Sequence, residues 1–146
     1  MYELKEELNI ENMIYEIRGK QVMLDSDLAK LYQCKNGTKE INQAVKNNPS
    51  KFPKRFCFKI SEEEYNFLKS KFLTSKGGAR KGHNVFTEQG IAMLSTILKS
   101  KVAVETSIRI MDTFVKMRKY ISSNLIEQKY INQLVLEDHD SIKLLQ

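Results

Sequence analysis

The sequence predicts an α+β fold in which a small antiparallel sheet and a helix-turn-helix-like pair pack on longer C-terminal helices. Three observations predict it. Two short β-prone runs, Met13 to Ile17 and Gln21 to Leu24, are joined through Arg18-Gly19-Lys20. Two short amphipathic segments, Asp25 to Tyr32 and Thr38 to Asn47, flank the turn signal Asn36-Gly37. A long stretch from Val104 to about Ser122 carries apolar residues in two adjacent rows at helical spacing. With 146 residues and 41% hydrophobic content, the chain supports one hydrophobic core. A domain is expected over 13–122, followed by a helical C-terminal extension over 123–146.

The elements follow in order. The first two runs are close enough in sequence to pair as a hairpin. Asp25-Ser26 offers an N-cap for a helix with Leu28, Leu31 and Tyr32 on one face, and Ala29 small enough for a close crossing. Thr38 offers the N-cap for the second helix, whose Ile41, Ala44 and Val45 make a narrow apolar stripe. Pro49 and Pro53 end it and are expected to hold Asn48 to Lys54 extended. Phe56, Phe58 and Ile60 alternate as in a half-buried strand. Ser61 ahead of Glu62, Glu63 and Glu64 starts a capped helix with an acidic first turn, carrying Tyr65, Leu68 and Phe72 inward. Lys71 to Asn84, with Gly77, Gly78 and Gly82, predicts a mobile basic loop. Thr87-Glu88-Gln89-Gly90 opens a helix to about Leu98, with Ile91, Leu94 and Leu98 inward. In the long helix, Val104, Ile108, Met111 and Val115 form one apolar row and Ile110, Phe114, Met117 and Ile121 a second. Beyond Asn124 the chain stays helix-prone, with Ile131, Leu134 and Leu145 in a sparse heptad. This is either an oligomerisation helix, through which the protein would form a homodimer, or the cut end of a longer protein.

Charge is distributed unevenly. The formal net charge is +6, but Lys30 to Lys81 alone holds 13 Lys or Arg against 4 Glu, a local net of +9. A basic middle within a near-neutral frame suits a polyanion. On the second helix, Lys39, Asn42, Gln43 and Lys46 form a polar stripe opposite the apolar one. Lysines there would meet phosphates, and amides would offer a donor and an acceptor to an adenine edge. The bland reading is a solvated helix face.

Other chemistries find little support. Gly77 and Gly82 have the spacing of phosphate-loop glycines, yet His83-Asn84 stand where Lys-Ser or Lys-Thr is required. His83 and His139 lack companions at ligand spacing, so no metal is expected, and His83 is expected at the surface. Three adjacent carboxylates at 62–64 point to different sides of a helix and suit dipole matching better than acid-base work. No nucleophile motif appears, so no enzyme and no cofactor are expected. Cys34 and Cys57 are too few for a disulfide framework and are expected as reduced thiols. Neither a signal peptide nor a membrane span is visible, which predicts a cytoplasmic protein that does not enter membranes.

The order of parts resembles a family. It runs Ile17-Arg18-Gly19-Lys20 with Val22, Leu28-Ala29-Lys30-Leu31-Tyr32, Asn42-Gln43-Ala44-Val45-Lys46, Lys51-Phe52-Pro53, Phe56 to Ile60, Ser75-Lys76-Gly77-Gly78 and Phe86-Thr87-Glu88-Gln89-Gly90-Ile91-Ala92-Met93-Leu94. From about Ile14 to Met117 this resembles the ORF-six-N (ORF6N) domain, a relative of the KilA-N and Bro-N domains of large DNA viruses, phages and prophages. The resemblance implies a DNA-binding module of phage antirepressor-like or regulatory proteins, without catalysis. The chain departs from the pattern at Asn47 and Asn48, where a basic residue is usual, and at His83-Asn84, where a Pro-aromatic pair is usual.

The expected function is therefore duplex DNA binding by a phage or prophage transcription regulator. Lys39, Asn42, Gln43 and Lys46 would contact a groove, with Asn42 and Gln43 as base readers and Thr38 at the helix start. Lys35, Lys51, Lys54 and Arg55 would hold phosphates, and Lys76, Arg80 and Lys81 would form a second backbone-contacting arm. The alternative is an antirepressor that binds a repressor protein rather than DNA.

Overall fold

The computed structural model describes residues 10–69 and 83–145, with side chains described as far as residue 135. The chain falls into two compact units, residues 1–111 and 112–146. In the first, a helical turn at 10–12 buries Ile10 and precedes a hairpin of β1 (Ile14–Ile17) and β2 (Lys20–Leu24). Its two-residue turn has positive φ at both Arg18 and Gly19, the primed geometry whose twist matches paired strands. An arginine is unfavourable there. It is held by a two-pronged ion pair, Arg18 Nε and Nη2 donating to Glu64 at 2.9 and 2.8 Å.

Two helices follow the hairpin, α1 (Asp25–Leu31) and α2 (Thr38–Asn47). Then come a 3-10 turn over Pro49–Lys51, β3 (Cys57–Ile60) and α3 (Glu62–Leu68). Beyond residue 82 lie β4 (His83–Thr87), α4 (Glu88–Ile97) and α5 (Lys101–Leu145). The sheet has the order β1-β2-β4-β3, and every neighbouring pair is antiparallel. β4 thus runs through the middle of the sheet between the hairpin and β3. The expected loop ending at Asn84 instead gives way to this strand from His83 onward, and Lys71 to Gly82 and Phe72 lie outside the described residues.

Both faces of the sheet are covered. On one, Ile17, Val22, Leu24, Ile60 and Val85 form a buried cluster under Tyr65 and Leu68 of α3, with Tyr15 and Phe58 at its edge. On the other, Ile14, Met23, Cys57 and Phe86 are buried, and Phe52 stands edge-on to Phe86 at 6.1 Å. Two covered faces explain a departure from the expected alternation. Phe58 and Ile60 share one face, but the strand starts at Cys57, which is buried on the other, and Phe56 is only half-buried. The segment after Pro49 is likewise a 3-10 turn rather than extended. Proline's fixed φ suits the first position of a helical turn.

Helix ends are built locally. Ser61 and Glu64 form the expected capping box, Ser61 Oγ accepting from the Glu64 amide at 3.0 Å and Glu64 Oε1 accepting from the Ser61 amide at 2.9 Å. Thr87 caps α4, its Oγ1 accepting from the Gly90 amide at 3.3 Å while donating to the Arg55 carbonyl at 2.9 Å. α4 approaches so closely that a Cβ on Gly90 would overlap the Phe56 carbonyl. Only glycine fits there.

His83 is buried rather than at the surface. Its ring stacks on Tyr65 at 3.7 Å, and its Nε2 lies 3.4 Å from Glu62. In α5 the rows are also distinguished. Ala103, Thr106, Ser107 and, of the second expected row, Ile110 and Phe114 are buried, whereas Ile121 of that row and Val104, Ile108 and Val115 of the first are exposed. α5 shows no break at the expected boundary after Ser122. Among the described residues, no helix is long and apolar enough to cross a membrane.

Gly90→Ala is expected to lower stability by about 1–3 kcal/mol or more, because backbone rather than a side-chain tip must move. Urea denaturation checks this, and an unchanged midpoint would contradict the close approach. A second expectation concerns acid. The Arg18 side chain, with help from the Ser61 amide, holds the Glu64 carboxyl down at about 2 from an ordinary 4.5. A depressed carboxyl stabilises fully above its unfolded value and loses that contribution as pH falls. Melting temperature should therefore drop between about pH 4.5 and pH 2, and Glu64→Gln should flatten the curve in that window while lowering stability at neutral pH.

Candidate nucleic-acid interface

The two helices of the expected pair are joined by Tyr32 to Gly37, and their ends show how the sequence shapes the turn. α1 closes in a Schellman motif. The Cys34 amide donates to the Ala29 carbonyl at 3.0 Å and the Gln33 amide to Lys30 at 3.1 Å, with Gln33 at φ 57° where glycine is usual. The Tyr32 hydroxyl, buried, pairs with Ser107 Oγ at 2.7 Å, which fixes the end of α1 against the first turns of α5. α2 then starts after Gly37, at φ 66°, with no side-chain cap. Thr38 is the first helical residue rather than the N-cap, and is half-buried.

Ile41 and Ala44 bury the inner side of α2, as the apolar stripe predicts. Its outer side exposes Lys39, Gln43, Lys46 and Asn47. Gln43 Nε2 donates to Asn47 Oδ1 at 3.0 Å, one turn along the same face. Lys35 is exposed in the turn before α2, and Lys51, Lys54 and Arg55 are exposed after it. From Gln33 to Arg55 the only acid is Glu40, whose carboxylate accepts from the Asn36 amide at 3.3 Å. The structure thus brings Lys35, Lys39, Gln43, Lys46, Lys51, Lys54 and Arg55 to solvent within one short stretch of chain. Lys76, Arg80 and Lys81 lie outside the described residues.

Asn42 is placed differently from the lysines. It is half-buried, and its amide is used at both ends: Nδ2 donates to Asp25 Oδ2 at 3.0 Å, while Oδ1 accepts from Asn84 Nδ2 at 2.8 Å. The Asn84 backbone amide donates to the same Asp25 oxygen at 3.2 Å, and the Ser26 amide to its other oxygen at 2.7 Å. Asp25, 3% exposed, is therefore the centre of a network joining the start of α1, the middle of α2 and strand β4. From the sequence, Asp25-Ser26 is expected as an N-cap. In the structure Leu24 occupies the cap position without a side-chain bond, and Asp25 sits one residue further in. An acid directly after an apolar strand was the available signal; its partner Asn84 lies 59 residues away.

The thiols are not poised for chemistry. Burial pushes Cys34 up to about 11 and Cys57 up to about 12, so neither offers a thiolate near neutral pH.

A family model described as the ORF6N domain matches residues 12–97. The chain belongs to the ORF6N family. The matched span opens at the residues before β1 and closes with α4, so it includes the whole sheet, the α1-α2 pair and the Asp25 network, and stops short of α5. ORF6N is a phage-type domain, consistent with a phage regulator family. No curated protein and no solved structure matches the chain.

Asn42→Ala would leave Oδ2 of the buried Asp25 carboxylate with one donor instead of two, and the Asn84 side-chain amide without its acceptor. A loss of about 1–3 kcal/mol in urea denaturation is expected, against less than about 0.5 kcal/mol for Gln43→Ala on the exposed face. Equal effects of the two substitutions would contradict the structural role of Asn42.

Proposed function

We propose that this ORF6N protein is a binding module, not an enzyme, that engages duplex DNA through the outer face of α2 as a cytoplasmic phage or prophage regulator. The observation that carries this reading is the set of exposed cations Lys35, Lys39, Lys46, Lys51, Lys54 and Arg55, mounted on and around the second helix of a helix-turn-helix-like pair. Lys39, Gln43 and Lys46 recur at helical spacing on one side, a width that suits entry into the major groove. In this reading Lys39 and Lys46 neutralise phosphates beside the groove and Gln43 presents its amide to a base edge. Asn42, the other amide of the polar stripe, positions the helix through Asp25 instead. Lys35, Lys51, Lys54 and Arg55 hold backbone phosphates, with Lys76, Arg80 and Lys81 as a further backbone-contacting arm. Such contacts are electrostatic and release counterions, so affinity falls with salt by about 0.9 log units per log unit of salt for each phosphate neutralised.

A second reading is favoured by one feature of α5. Val104, Ile108 and Val115 form an exposed apolar row, the kind of surface a protein partner covers. An antirepressor that captures a repressor would use such a row and show little salt dependence.

Fluorescence anisotropy with random duplex DNA between about 50 mM and about 200 mM salt separates the two. Micromolar or tighter binding that weakens at least tenfold over this range, and is lost in the Lys39→Glu/Lys46→Glu variant, is expected for the DNA reading. On a selected site, Gln43→Ala should cost about 1–3 kcal/mol of specific binding and leave non-specific binding unchanged. Absence of binding at low salt would sink the DNA reading in favour of the protein partner.

A further inference from the structure

The second compact unit, residues 112–146, carries many apolar side chains in water. Ile121, Leu125, Ile126, Tyr130, Ile131, Leu134 and Val135 are all exposed, Ile131 at 51% and Val135 at 60%. Most helical stability in proteins comes from packing an apolar face rather than from propensity. Three of them, Ile121, Ile131 and Val135, fall on one row. Counting from the buried pair Ile110 and Phe114, the row Met117, Ile121, Asn124, Gln128, Ile131 and Val135 advances by alternating intervals of three and four. This is heptad spacing, the pattern of a coiled-coil seam, with a polar layer, Asn124 and Gln128, at its centre.

The seam is self-complementary when reversed. In an antiparallel pair each a-type position faces a d-type position of the other strand. Met117 then meets Val135 of a second copy, Ile121 meets Ile131, and Asn124 meets Gln128, amide against amide. Charge has the same polarity. Lys116, Arg118 and Lys119, with Asp112, make one end of this segment basic. The sequence carries Glu137, Asp138 and Asp140, with Lys143, toward the other end. Between them residues 120–135 hold only Glu127 and Lys129, of opposite sign. Parallel pairing would set like blocks side by side, within a Debye length of about 8–10 Å. Antiparallel pairing in this register stands residues 116–119 opposite 133–136, next to the acidic run of the sequence at 137–140 rather than beside a second basic run.

We propose that the C-terminal half of α5 is an antiparallel homodimerisation helix, in which two copies of this chain pair along Met117 to Val135, about 28 Å at 1.5 Å per residue. The interface is isologous, the same surface on both copies, as in most closed dimers. It is independent of the DNA-binding reading.

Sedimentation equilibrium of the full chain without nucleic acid tests it, using Ile121→Lys and Ile131→Glu, both at exposed positions that leave the sheet domain untouched. Wild type is expected at twice the 17.0 kDa chain mass, and each variant alone is expected to dissociate with a dimer constant weakened at least tenfold. An equimolar mixture of the two variants should recover the dimer. In the antiparallel heterodimer the lysine introduced in one variant meets the glutamate introduced in the other, and the remaining pair is Ile131 against Ile121. In a parallel dimer each introduced charge meets isoleucine. Circular dichroism confirms that both variants stay folded. A monomeric wild type at about 100 µM, a larger assembly, variants that dimerise unchanged, or a mixture that stays monomeric would each overturn the proposal.

Discussion

The α1-α2 pair depends on one buried carboxylate. A charge at the position of Asp25 is costly unless donors surround it, and here Asn42, Asn84 and Ser26 supply them from α2, β4 and the start of α1. Because those donors come from three elements, satisfying the charge fixes the angle at which α2 stands on the domain. The lysines and Gln43 on its outer side inherit that orientation. The first turn of α1 adds to the arrangement, since an acid there is favoured by the helix dipole.

A second constraint holds the far side of the same unit. β4 lies between β2 and β3, and its end is pinned by Thr87, whose amide and hydroxyl both reach the chain at Arg55 and Phe56. The chain then turns directly into α4, and the missing side chain of Gly90 lets that turn be tight. The Phe86-Thr87-Glu88-Gln89-Gly90 segment thus works as a strand end, a cap and a close packing contact in succession. Phe52, edge-on to Phe86, ties the segment after α2 to the same strand, so Lys51, Lys54 and Arg55 flank a buried anchor.

The polar and apolar surfaces of the molecule have different physical uses. Cations spread over α2 and the following turn act at long range and respond to salt. The apolar rows of α5 act only on contact and bury area. In this chain the two fall on opposite sides, in sequence, of the end of the family match at Ile97.

Local features were legible in the sequence because they depend on neighbours a few residues apart. The hairpin, the capping box at Ser61, the α1-α2 pair, the cap at Thr87 and the basic stretch from Lys35 to Arg55 all follow from periodicity, turn residues and charge. What tertiary structure decided was every question of pairing at a distance. His83 to Thr87 lacks a distinctive alternation because both its faces are buried, so its role as an inner strand was invisible. Asn42 looked like Gln43 in sequence, two amides side by side on a polar stripe; only the approach of Asp25 and Asn84 turned one inward. Val104 and Ile110 likewise had equal apolar claims to the core of α5. Helical spacing defines rows, but which row meets the domain depends on the direction from which the rest of the chain arrives.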